Sequence, residues 1–171
     1  MNTMNKEIKI YEPYITSVLE SRIFLSITEV GEGLKKNLED KIAYKNENKC
    51  IPQGYIKPKS IKILSYSSGK VNGDKIEFKI VYQCDLCFPV EGMLVECTCK
   101  TVTKAGIHAE VIDSDGNVPL VVFVARDHHI NHSLFEKVEE KDRLVVKVVG
   151  SRFELNDANI CVIGKLENRL E

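Results

Sequence analysis

Residues 93–124 read MLVECTCKTVTKAGIHAEVIDSDGNVPLVVFV. Short runs rich in β-branched and apolar residues are separated there by turn chemistry. Met93 to Val102 reads as a strand, Ile107 to Ile112 as a second, Asp115-Gly116-Asn117 as a tight turn, and Val118 to Val124 as a buried apolar strand. Beyond it, Asp127 to Glu139 reads as an irregular or helical excursion. Leu144 to Phe153 and Ile160 to Leu166 then read as two more strands joined by a turn at Asn156-Asp157. Five strands with an excursion between the third and fourth is the order of an OB-fold, a small Greek-key barrel that commonly binds oligonucleotides.

Upstream the pattern differs. Ser21 to Ile27 alternates as a strand. The following stretch, EVGEGLKKNLEDKIAYKNENK, repeats Val30, Leu34, Leu38 and Ile42 at intervals of four, with charged residues between them. That spacing puts one apolar stripe on an amphipathic helix, and Glu29 and Glu32 are expected in its first turn, where the dipole favours acids. Tyr55 to Tyr66 is strand-like but interrupted by Pro58, so an edge or a bend is expected there. Ser67-Ser68-Gly69 and Asn72-Gly73 are turns, and Lys75 to Tyr82 alternates Ile76, Phe78 and Ile80 against Lys75, Glu77 and Lys79. Cys84 to Pro89 reads as a connector. The expected architecture is α+β: a small strand-helix-strands domain over 1–83, then an all-β five-stranded OB barrel over 84–171.

The 171 residues are 43% hydrophobic, enough for packed cores, and 29% charged with a net charge of −1. A strongly basic nucleic-acid binder would look different, so any RNA contact must come from a local patch. The sequence has no apolar run of signal-peptide length and no stretch of ~18 apolar residues that would span a bilayer, so an intracellular, soluble protein without membrane contact is expected. Walker, GxGxxG and GxSxG motifs are missing from it, and no enzyme is expected.

Six cysteines in a reducing compartment are core residues, metal ligands or reactive thiols rather than disulfides. Cys84-x-x-Cys87 with Cys97-x-Cys99 offers four thiolates to zinc. On a strand, however, Cys97 and Cys99 lie ~7 Å apart on one face, which is awkward for a shared ion, and their positions suit small core residues. The reading adopted is core thiols and no metal, with Cys50 and Cys161 also in the core. His128, His129 and His132 form a second metal-like cluster, with His128 and His132 on one face if helical. They have no HExxH carboxylate, so a solvated loop is expected.

The residues then narrow the reading. In VVKVVGSRFELNDANICVIGKLENRL, residues 145–170, Lys147, Gly150, Ser151, Arg152, Asn156, Asp157, Ile163, Gly164 and Leu166 fill a recognisable frame. FPVEGMLVECTCKTVTKAGIHAEV, residues 88–111, supplies Phe88, Gly92, Lys104, Gly106 and Ile107. Together with the domain order, these stretches resemble the stalk subunits of multisubunit DNA-directed RNA polymerases, the family of the seventh subunit of eukaryotic RNA polymerase II and its archaeal counterpart. The resemblance covers roughly residues 14–168. The segment before Tyr14 is extra, and ARDHHINHSLFEKVEEKD departs from the cellular versions, so the chain looks more like versions carried by large cytoplasmic DNA viruses.

That resemblance implies a non-catalytic subunit without cofactors. Its first domain would pack on a smaller stalk partner and plug into the polymerase core near the clamp. Gly54, Tyr55, Gly69 and Gly73 would shape the docking loops around 53–58 and 67–73, although ordinary hairpin turns account for the same residues. The OB domain would meet nascent single-stranded RNA through Lys100, Lys104, His108, Arg126, His128, Lys147, Arg152 and Phe153. Arg152 can instead pair with Glu154 or Asp157 across its hairpin. A viral owner implies a virion or cytoplasmic factory, a cellular owner the nucleus. The alternative is a free-standing single-stranded RNA-binding OB protein of translation-factor type.

Overall fold

The computed structural model describes residues 13–170; residues 1–12 of the N-terminal extension lie outside the described residues. Two compact units emerge: residues 14–88 with 153–158, and residues 89–152 with 159–170.

The first unit is built on one long strand. β1 (Ile15–Ser26) leads through a 3-10 turn (Ile27–Glu29) into helix α1 (Leu34–Asn46). Short strands β2 (Lys49–Ile51), β3 (Gly54–Ile56), β4 (Lys62–Tyr66) and β5 (Lys70–Asn72) follow, and then β6 (Lys75–Cys87). β6 pairs antiparallel with β1 along one edge and with β5, β4 and β3 in turn along the other, while β2 pairs β3. Phe78, Ile80, Tyr82 and Cys84 alternate inward on β6. They pack with Ile23 and Leu25 of β1 and with Leu38 and Ile42 of α1. The helix thus covers one face of the sheet with the stripe its spacing promised. Asn46, buried at the end of α1, donates to the Tyr82 hydroxyl at 3.2 Å and satisfies both polar groups.

Several expectations need correction here. β6 runs on to Cys87, so Cys84–Cys87 is strand rather than connector: Cys84 to Leu86 still pair with β1, and Leu86 and Cys87 pair with β3. β1 begins at Ile15, six residues before the expected start. α1 starts after Gly33, which has φ +76°, and neither Glu29 nor Glu32 lies in its first turn. Glu29 instead accepts from the Ser26 hydroxyl at 2.9 Å and the Ser26 N–H at 3.4 Å, closing the 3-10 turn. The Ser26 hydroxyl, its backbone N–H and nearby Lys41 hold that carboxyl below its usual range.

The second unit is a closed barrel. Its strands are β7 (Leu94–Val102), β8 (Gly106–Val111), β9 (Leu120–Ala125), β10 (Arg143–Arg152) and β11 (Ile160–Leu170). They close in the order β10-β11-β9-β8-β7, with β11 parallel to β9 and every other pair antiparallel. This is the order of an OB-like barrel. Val95, Cys97 and Cys99 face inward from β7, Ile107 and Ala109 from β8, Val122 and Val124 from β9, and Ile160 and Val162 from β11. Gly164 lies opposite Val148 on β10, and a Cβ there would overlap Val146, so only glycine fits. Cys161 was expected in the core. It faces out, because Ile160, Val162, Gly164 and Leu166 take the inward positions of β11.

Between β9 and β10 the chain makes a 3-10 turn (Arg126–His128) and a short helix α2 (Ser133–Glu136). His128 and His132 therefore share no helix face, and the cluster is not a solvated loop throughout. His129 is only 2% exposed. Its Nδ1 lies 2.7 Å from the Ala125 carbonyl oxygen, and its Nε2 accepts from the Leu166 N–H at 3.0 Å. A carbonyl only accepts and an amide N–H only donates, so the ring proton belongs on Nδ1. The ring joins the end of β9 to β11 and stacks on Phe135 of α2 at 5.0 Å. His132 caps α2, accepting from the Phe135 N–H at 3.3 Å.

His129→Ala strands a buried donor and a buried acceptor and leaves a void. Urea unfolding should show a loss of about 3 kcal/mol, against about 1 kcal/mol for the cap variant His132→Ala. Equal losses for the two would contradict the bridging role.

Candidate nucleic-acid interface

The barrel's alternation decides what faces solvent. On β8, Ile107, Ala109 and Val111 point inward and His108 and Glu110 outward. On β9, Leu120, Val122 and Val124 point inward and Val121 and Phe123 outward. The register sets His108 opposite Phe123, and Phe123 beside Ile163 of β11. The His108 and Phe123 rings meet at 4.9 Å between centroids, tilted by 46°. An outward row of imidazole, phenyl and exposed Ile163 results, on the strands that OB barrels use to hold bases.

Cations lie around this row. Lys104 is exposed in the turn between β7 and β8, at the end of β8 that precedes His108. Lys147 of β10 and Lys165 of β11 are register partners, both exposed, beside a cavity of about 500 Å³ that Gly92 and Glu91 also line. His128 is exposed on the 3-10 turn. Arg152, at the end of β10, is exposed and opposite Cys161.

Other sequence candidates are placed differently. Lys100 sits at a bulge in the β7–β8 pairing and binds Glu110 at 2.8 Å, whose carboxylate raises the ammonium's pKa. Arg126 donates through Nε to the Lys104 carbonyl at 3.1 Å and through Nη2 to the Thr103 carbonyl at 3.0 Å, over the Phe135 ring. It shapes the turn that carries Lys104. Phe153 groups with the first unit, where its ring meets Phe88 edge-on at 6.3 Å. The sequence reading missed Phe123, Ile163 and Lys165. The signal for Phe123 was present: with Val122 and Val124 inward, alternation alone puts it outside.

The docking candidates divide in two. Tyr55 is 1% exposed, and its hydroxyl donates to Asn48 at 2.8 Å. Gly54 has φ +142°, and a Cβ there would run into the Cys87 carbonyl, so β3 approaches β6 too closely for any side chain. Both residues belong to the interior and act on the surface only by shaping it. Gly69 and Gly73 lie in the exposed segment 64–75, which carries Leu64, Tyr66 and Val71 as exposed apolar side chains.

The cysteines do not converge. Cys84 lies in the core of the first unit, and Cys97 and Cys99 line the barrel interior. Among the described residues no group of three or more histidine, cysteine or acidic side chains is placed to hold a metal ion. Burial pushes the Cys84 thiol up to about 11 and those of Cys87 and Cys97 up to about 12.

No family model matches the chain. The chain is similar to a mimivirus protein. "Putative DNA-directed RNA polymerase subunit L376" of Acanthamoeba polyphaga mimivirus is 20% identical over 170 residues, spanning 90% of this chain and 81% of that protein.

Two outcomes follow for the thiols. In native protein at pH 8, a thiol reagent should modify Cys161 rapidly and Cys84, Cys87 and Cys97 only after unfolding. Because folding raises those three pKa values above 9.0, their contribution to stability is complete below about pH 9 and is lost as pH climbs through about 11 to 12. Rapid native modification of Cys97 would contradict its placement.

Proposed function

We propose that this chain is a non-catalytic stalk subunit of the DNA-dependent RNA polymerase of a large DNA virus. In this reading residues 14–88 dock on the polymerase core and a smaller stalk partner. The barrel contacts nascent single-stranded RNA in a cytoplasmic viral factory or the virion. The observation that carries the polymerase role is the similarity to the mimivirus protein, which extends over nine-tenths of this chain and so takes in both units. The RNA role is supported by the outward His108–Phe123 pair with Lys104, Lys147 and Lys165 around it. Rings give stacking without sequence preference, and lysines follow the phosphates. Nothing in such a face needs a nucleophile or a cofactor.

Docking falls to the segment 64–75. Val71 is 76% exposed and stands close to Leu64 and Tyr66 in sequence, on a hairpin whose edge strands are short. Exposed apolar side chains of this kind are what a protein interface buries.

Tagged Val71→Asp, expressed in infected cells, should recover the large polymerase subunits at least tenfold less than the unaltered chain, with an unchanged circular dichroism spectrum. Undiminished recovery removes this hairpin as the docking element, and recovery of ribosomes without polymerase would favour a translation-type factor. In the isolated chain, Phe123→Ala should weaken binding of a 12-nucleotide oligouridylate about tenfold by losing a stacking platform. Lys104→Gln should instead flatten the salt dependence by about 0.7 units of slope, the share of one phosphate contact on a single strand. Anisotropy titrations over a salt series separate the two effects, and no effect of either variant would refute the barrel interface.

A further inference from the structure

The first unit holds a cavity apart from the barrel face that shares only Lys75 with the docking segment. It has a volume of about 600 Å³ and lies between β1, the C-terminal half of α1 and β2, with Leu155 and Asn156 also on its wall. Arg22, Lys41, Lys45, Lys49 and Lys75 line it, and among the described residues no carboxylate does. Arg22 has Glu77 at 3.5 Å and Lys41 has Glu29 at 3.9 Å, while Lys45, Lys49 and Lys75 form no ion pair among the described residues. Lys45, Lys49 and Lys75 thus stand around one cavity without an ion pair among the described residues, and like charges repel one another. A bound polyanion relieves that repulsion.

The cavity also offers rings. Tyr44 lies on its wall and is 88% exposed, although it follows the buried Ile42 by only two residues on α1. Lys49 sits 5.9 Å from the Tyr44 ring centroid, and Phe24, on the outward side of β1, lines the same wall at 40% exposed. Exposed aromatic faces interleaved with lysines are the chemistry of single-stranded nucleic acid, in which phosphates meet cations and bases lie on rings. An acidic peptide would use the cations and leave Tyr44 without a role.

We propose that this cavity is a second binding site for single-stranded RNA, separate from the barrel face, with phosphates on Lys45 and Lys49 and a base on Tyr44. The inference stands on the cavity alone and does not need the polymerase role.

The test uses the full chain carrying Phe123→Ala, so that loss of the barrel interface cannot be mistaken for loss of this one. A fluorescein-labelled 12-nucleotide oligouridylate is titrated by anisotropy at low salt. Adding Tyr44→Ala should weaken binding at least fivefold. Adding Lys45→Gln with Lys49→Gln should reduce the salt slope by about 1.4, since each phosphate contact on a single strand contributes about 0.7. Tyr44 and Lys45 are exposed and Lys49 is half-buried, and an unchanged circular dichroism spectrum confirms folding. An oligonucleotide bearing 5-iodouridine should photo-crosslink to Tyr44, mapped by mass spectrometry. Unchanged affinity and slope in both variants would overturn the proposal. So would a labelled 12-residue polyglutamate that binds as tightly as RNA and loses affinity with the lysine variants but not with Tyr44→Ala, which would assign the cavity to an acidic peptide.

Discussion

The imidazole of His129 bridges the Ala125 carbonyl and the Leu166 N–H, and the barrel's geometry follows from that bridge. β9 and β11 run parallel, so no short turn can join them, and the chain must leave the barrel and return through another strand before they meet. The buried ring fixes where the excursion departs and where β11 passes. With that register set, Ile163 falls beside Phe123 and Gly164 fills the one position where a Cβ would overlap Val146. A slip of β11 by one residue against β9 would turn Ile163 inward and expose Val162. The outward row therefore depends on a buried polar contact at the end of β9.

Much of this was legible in the sequence because strand alternation and turn residues report burial directly. The five barrel strands, the excursion after the third, and the helical stripe of Leu34, Leu38 and Ile42 all follow from spacing. What was not legible depends on contacts distant in sequence. Nothing local tells that His129, thirty-seven positions from Leu166, is buried while His128 beside it is exposed. Val118–Val124 reads as uniformly apolar, so alternation puts Phe123 opposite Val122 and Val124 but does not by itself say which of the two faces is the core. The Gly54-Tyr55 pair looked like a loop because Gly normally marks one. It marks instead the close approach of β3 to β6.

Charge distribution matters more here than total charge. A chain of net charge −1 would bind nucleic acid weakly if its charges were spread evenly. Instead acids neutralise cations at some positions, as Glu110 does Lys100 and Glu77 does Arg22, and leave Lys104, Lys147 and Lys165 exposed around apolar rings. In the proposed role such local patches would hold a flexible strand without the strong nonspecific attraction of a basic protein.

In the proposed role this chain works inside a polymerase, docked through its first unit. Crosslinking mass spectrometry on polymerase purified from infected cells tests this role, because Lys62 beside the proposed docking segment and Lys70 and Lys75 within it are exposed. Crosslinks from these lysines to a large polymerase subunit are expected. Absence of the chain from the purified polymerase, or crosslinks to core subunits from barrel lysines alone, would contradict it.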